Sequence, residues 1–278
     1  MGKFLLVLLI VFLAGIGYAA STVISAKGDF EKMRSENVLI LITDETNKNE
    51  VELGFGFLLG SGAETFFIDP NEKTGGAPIK TLFANSIKSG AELIAGKEVS
   101  GIFDIDKNTT KNVKINRIVV IPTSVFGDAA SSIGGVDYRS PEYRGIFIST
   151  YFSGEEFADL LRADSFSDTS GWEVTFTNLT GKVETQQKSG GELEKFLLES
   201  KAIDPRLHSL EVMKGMILVQ AADSIDTKDK IIVGKIIEIV LNSYKNEVIQ
   251  VHPGNTLTRL IKYAPVDAVK NKAVSIIA

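Results

Sequence analysis

Asn37-Val38-Leu39-Ile40-Leu41-Ile42-Thr43 is an almost unbroken apolar run of strand length, followed at once by Thr43's acidic neighbours Asp44 and Glu45. A strand wetted on one face alternates apolar and polar residues, whereas one covered on both faces has no reason to. The run therefore predicts a strand in a sheet packed on both sides. Outward from it, Val51 to Leu59 and Ala63 to Asp69 read as two more strands, joined by the hairpin-like turn Gly60-Ser61-Gly62. Pro78 opens a helical stretch in which Ile79, Leu82, Phe83, Ile87, Ala91 and Ile94 fall near helical spacing. Val99 to Ile105 and Ile115 to Ile121 are strand candidates around a polar connection, Asp106 to Lys114. A helix from Thr123 to Ile133 stops at Gly134-Gly135, where glycine takes the left-handed cap.

The second half continues the alternation. Ser153-Gly154-Glu155-Glu156 is a capping box ahead of Phe157, Leu160 and Leu161. Trp172 to Thr177 reads as a strand, and Asp204-Pro205 as the start of a helix running toward Ala222. Asp226 to Lys230 starts another helix, Glu247 to Val251 is a strand, and Thr256 to Tyr263 a final helix. No Pro/Gly-rich linker interrupts the series. The expected fold class is thus α/β: a single mixed-sheet domain flanked by helices, over residues 31–278.

The N-terminus stands apart. Phe4 to Ala20 is apolar throughout and no charge appears between Lys3 and Lys27. Such a run reaches the ~20 residues that span a bilayer as a helix, and the small residues Gly17 and Ala19 also suit a signal peptidase. Residues 1–30 are therefore expected to be an apolar helix acting as a signal anchor, or a cleaved signal peptide. The first makes the membrane a partner and gives a single-pass cell-membrane protein with its domain outside the cytoplasm; the second gives a secreted one. Two N-glycosylation triplets, at Asn108 and Asn178, fit either.

Composition narrows the chemistry. With 44% hydrophobic and 23% charged residues in 278, the chain is neither disordered nor a multi-span membrane protein. A net charge of −5 offers no basic field for phosphate backbones, so nucleic acid is not expected as a partner. The absence of Cys removes disulfides, thiol nucleophiles and cysteine-bound zinc. His208 and His252 have no partner at ligand spacing. Walker A, dinucleotide-binding and G-x-S-x-G patterns are all missing, and Asp104-Ile105-Asp106 fails as a calcium loop because Thr109 stands where Gly is required. What survives is Asp44, at the carboxyl end of a buried strand, where α/β folds bind ligands. It could hold a metal ion, act as a base, or simply form a turn.

Several pieces together resemble the LytR–CpsA–Psr family: Val38 to Asp44, Ile68-Asp69-Pro70-Asn71-Glu72, Arg117 to Ile121, Ser132-Ile133-Gly134-Gly135-Val136-Asp137, and Asp223 to Lys230. The resemblance covers roughly residues 36 to 263. It implies an extracytoplasmic cell-envelope protein that attaches or assembles surface glycopolymers carried on polyprenyl-pyrophosphate. Family members use arginines to hold the pyrophosphate and acids to bind a divalent cation and activate the acceptor. On that basis Asp44 and Glu72 are the expected catalytic acids, with Asp44 also a ligand for Mg²⁺. Asn71, Lys228 and Lys230 are the expected ligand-binding residues. Asn71 stands where the family has Arg and Glu72 where it has Asp, while Lys228 and Lys230 occupy the region of further arginines. Asn carries no charge, and Lys meets phosphate without the guanidinium fork. Three readings follow: a glycopolymer transferase, a catalytically inactive envelope-binding module, or an adhesion or signalling ectodomain of an unrelated mixed α/β fold.

Overall fold

The run that opens the reading is β1 (Asn37–Thr43), and Val38 to Thr43 are all buried. The structure is a computed structural model that describes residues 36–44, 51–58, 64–68, 73–74, 77–83, 86–104, 109–178, 180–200, 203–225, 229–254 and 261–277. After β1 come β2 (Val51–Leu58), β3 (Glu64–Ile68) and the short pair β4 (Lys73–Thr74) and β5 (Ala77–Pro78). Then follow α1 (Ile79–Phe83), α2 (Ile87–Ile94), β6 (Glu98–Asp104), β7 (Thr109–Lys114), β8 (Arg117–Pro122) and α3 (Thr123–Ser132). The remainder comprises β9 (Val136–Arg139), β10 (Ile146–Phe152), α4 (Gly154–Arg162), β11 (Trp172–Thr177) and β12 (Val183–Lys188). It closes with α5 (Gly190–Glu199), α6 (Leu210–Ser224), α7 (Lys230–Lys245), β13 (Gln250–His252) and α8 (Val266–Ile277).

Seven strands form a mixed sheet in the order β13-β8-β1-β2-β3-β6-β7. β1 runs parallel to β8, with Ile40 opposite Val119, and antiparallel to β2. Alternation along the two central strands sorts their side chains onto opposite faces. Val38, Ile40, Ile42, Val119 and Ile121 join a large core with residues of α3, α4, α6 and α7. Leu39, Leu41, Ile118 and Val120 join a smaller one with Phe83, Ala91 and Ile94 of α1 and α2. Burial on both faces is what the unalternating run required.

One expectation needs enlarging: there is not a single sheet. β12-β11-β10-β9 form a separate, wholly antiparallel sheet whose Tyr138, Ile148, Trp172 and Val174 enter the large core. Trp172 is fully buried, meets Phe152 edge-on at 5.7 Å, and donates its indole N–H to Thr169 Oγ1 at 2.7 Å. The edge strand β12 has no buried residue, so backbone pairing to β11 and not an apolar pattern holds it. Likewise the polar connection expected over 106–114 contains β7, paired to β6 in a hairpin. The helix expected from Pro78 is two helices, because Ser86 Oγ accepts the Ser89 N–H and starts a new one. The helix expected at Asp204-Pro205 is a 3₁₀ turn, Pro205–His208, ahead of α6, and α7 begins at its cap Asp229.

The N-terminal apolar helix expected over residues 1–30 lies outside the described residues. Among the described residues no helix is long and apolar enough to cross a membrane. The longest of them, α7, has 16 residues, packs against the core, and falls short of the ~20 a span requires. The description as a single-pass, membrane-anchored protein with its domain outside the cytoplasm, and the membrane as a partner, is corrected accordingly.

Candidate functional site

The carboxyl ends of β1 and β8 lie side by side, because the parallel register sets Thr43 opposite Pro122. Asp44 leaves one strand there and α3 starts from the other without a loop. The N-cap of α3 is Pro122, which offers no side-chain acceptor to the first-turn N–H groups. Thr123, the first helical residue, is fully buried, and its hydroxyl has no hydrogen-bond partner. A helix start without a capping side chain is a ready seat for an oxyanion.

The next helix brings a cation. Ser153 caps α4 by the reciprocal box expected from the sequence, with Glu156 Oε2 accepting the Ser153 N–H at 2.8 Å. Gly154 lets α4 lie close against α3, since a Cβ there would stand 1.9 Å from Ser131 Oγ and 2.3 Å from the Gly127 carbonyl. The last turn of α4 then sets Arg162 beside Asp44, with Nε 4.0 Å from Oδ1, while Nη1 donates to Asp159 Oδ1 at 2.7 Å. The Arg162 side chain is 34% exposed and that of Asp44 22%. Pairs this wet contribute about 1 kcal/mol or less. Arg162 can therefore turn from its carboxylates to an arriving phosphate at small cost, and a phosphate is better matched to its fork.

Of the residues expected from the sequence, Asp44 is at this end and Lys230 is exposed in the first turn of α7. The start of α7 is already capped, because Asp229 Oδ1 accepts the N–H groups of Ile231 and Ile232. Asn71, Glu72 and Lys228 lie outside the described residues. Arg162 was missed by sequence reasoning. Its only signal was a basic residue in the last turn of a capped helix, which ordinarily reads as a partner for the helix dipole.

Of the two acids expected to act with Mg²⁺, Asp44 is described and Glu72 lies outside the described residues. Among the described residues no group of three or more His, Asp or Glu side chains could hold a metal ion, and the charge facing Asp44 is itself a cation.

No family model matches the chain, and no curated protein does. Among solved structures the chain is similar to a LytR-Csp2A-Psr enzyme from Actinomyces oris, with 13% identity over 87% of this chain and 77% of that one, at a TM-score of 0.40. A putative transcription regulator from Eubacterium siraeum shows 12% identity over 88% and 78%, at 0.39. B. subtilis TagV shows 11% over 84% and 81%, at 0.35. The resemblance read from the sequence thus recurs as a distant structural likeness. Likeness at this level assigns neither membership nor activity.

Proposed function

We propose that this chain binds the pyrophosphate of a polyprenyl-carried glycan at the carboxyl ends of β1 and β8, and serves in attachment or assembly of surface glycopolymers. The observation that carries the reading is the meeting of Asp44, Arg162 and the uncapped start of α3 at one sheet end. Arg162 and the helix N–H groups supply positive potential for phosphate oxygens. Asp44 supplies a carboxylate that could take the proton of an acceptor hydroxyl as its oxygen attacks phosphorus and polyprenyl phosphate departs. A binding role without transfer uses Arg162 and the helix N–H groups alone and asks nothing of Asp44.

Titration calorimetry with farnesyl pyrophosphate, a short soluble probe, tests the reading. Arg162→Gln should weaken binding roughly tenfold or more, the worth of a charge-assisted hydrogen bond. Lys195→Gln, a change at an exposed pair on α5, should leave it unchanged. An arm with Mg²⁺ asks whether Asp44→Asn costs affinity only when the cation is present, as a bridging carboxylate requires. Equal affinities for wild type and Arg162→Gln overturn the proposal.

A further inference from the structure

β12 ends its sheet, and its outer edge carries backbone groups that the sheet does not use. The hairpin register fixes which ones. The Asn178 N–H donates to the Lys182 carbonyl at 2.9 Å, and the pairing then runs without a break from Thr177 opposite Val183 to Trp172 opposite Lys188. In an antiparallel ladder, bonded and unbonded pairs alternate. Glu184, Gln186 and Lys188 therefore bond to β11, while Thr185 and Gln187 turn their N–H and C=O groups outward. Both of these residues are exposed. Natural sheet edges are commonly guarded by a proline or a bulge. β12 has neither, and Val183 at its start is exposed as well.

The other three side chains form a charge palindrome. Glu184, Gln186 and Lys188 share the sheet face of their partners Phe176, Val174 and Trp172. Glu184 Oε1 accepts from Asn178 Nδ2 at 2.8 Å, and Lys188 Nζ stands 5.2 Å from the centre of the Phe196 ring, so both charged groups are held in place. Neither forms an ion pair among the described residues. A second β12 laid antiparallel about Gln186 sets Thr185 opposite Gln187, and their outward N–H and C=O groups then bond each other. The same register sets Glu184 opposite Lys188 of the partner subunit, and symmetry repeats that contact. Centring on Thr185 would also use outward groups, but it sets Lys182 against Lys188 of the partner subunit, a like-charge pair.

We propose that β12 is a self-association edge: two copies of this chain pair antiparallel about Gln186, doubling the four-stranded sheet across a two-fold axis. A single strand pair buries less than a standard interface, so the dimer is weak and concentration-dependent. Sedimentation velocity of the full chain from about 10 μM to about 1 mM should show a reversible monomer–dimer equilibrium. In hydrogen exchange read by NMR, the amides of Thr185 and Gln187 should gain protection as concentration rises, while those of Glu184, Gln186 and Lys188 are protected throughout. Thr185→Pro removes an outward N–H and no backbone bond to β11, so it should abolish the dimer and leave a folded monomer. Lys188→Glu turns both symmetric contacts from attractive to repulsive and should weaken association roughly tenfold. The exchange Glu184→Lys/Lys188→Glu restores opposite charges and should recover the dimer, although it still lacks the Lys188 contact with Phe196. Three results would overturn the proposal: a chain that stays monomeric to about 1 mM, a dimer indifferent to Thr185→Pro, or an exchanged variant no better than Lys188→Glu.

Discussion

Arg117 offers the sharpest stability test. At the start of β8 its Nε donates to Glu36 Oε2 at 2.7 Å and its Nη2 to Glu36 Oε1 at 3.0 Å, while Nη1 donates to the Pro253 carbonyl. The side chains of Arg117 and Glu36 are only 5% and 9% exposed. One guanidinium thus ties together the chain entering β1, the start of β8 and the end of β13, at the sheet end opposite Asp44. Arg117→Met leaves the Glu36 carboxylate buried without its cation, a fault that costs about 3–5 kcal/mol. The Pro253 carbonyl also loses its donor, which adds about 1 kcal/mol. For a chain of this size each kcal/mol lowers Tm by roughly 2–4 °C, so a loss of roughly 8–24 °C is expected. The double variant Glu36→Leu/Arg117→Met removes the stranded charge as well and should recover most of the loss, because a buried ion pair and an apolar pair of similar volume are often close in stability. Urea denaturation of the wild type, the single and the double variants reads this directly. If Arg117→Met lies within about 1 kcal/mol of wild type, or the double variant is no better than the single, the pair is not the buried staple described.

Gly154→Ala should destabilise by about 1–3 kcal/mol in chemical denaturation, since its Cβ meets Ser131 Oγ and the Gly127 carbonyl and forces α3 and α4 apart. Tyr138→Phe removes an unpaired buried hydroxyl and should raise stability by about 1 kcal/mol near pH 8. The same variant carries a pH signature. A tyrosine pKa raised by burial contributes stability that is present below about pH 10, the unfolded value, and is lost as pH rises through the folded one. Wild type should therefore fall further behind Tyr138→Phe in urea melts above about pH 10. Asp204 behaves in the opposite sense: hydrogen bonds from Arg206 hold its carboxyl below the usual range. That contribution is present above about pH 4 and lost as pH falls through the folded value, so the cost of Asp204→Asn, about 1–3 kcal/mol at pH 7, should shrink in acid.

Legibility of the candidate site followed the range of the interactions that build it. Asp44 could be found because a strand end is a local feature, and Ser153 because a capping box fits within four residues. Arg162 could not, because its place beside Asp44 depends on how closely two helices pack, and that is set by Gly154 against Gly127 and Ser131. The buried Tyr138 drew no attention either, because the Asp204 beside it comes from a distant part of the chain.

The sequence by itself determined the buried central strands, the glycine stop after α3 and the cap of α4, since periodicity and capping act over a few neighbouring residues. Even there it overran, taking Ile79 to Ile94 as one helix where Ser86 starts a second. Only the tertiary structure decided that there are two substantial sheets and not one. β12 buries nothing and β9 is four residues long, so neither carries an apolar signal strong enough to read. Both exist because β10 and β11 offer them open backbone N–H and C=O groups, and those groups must find partners once the chain has folded.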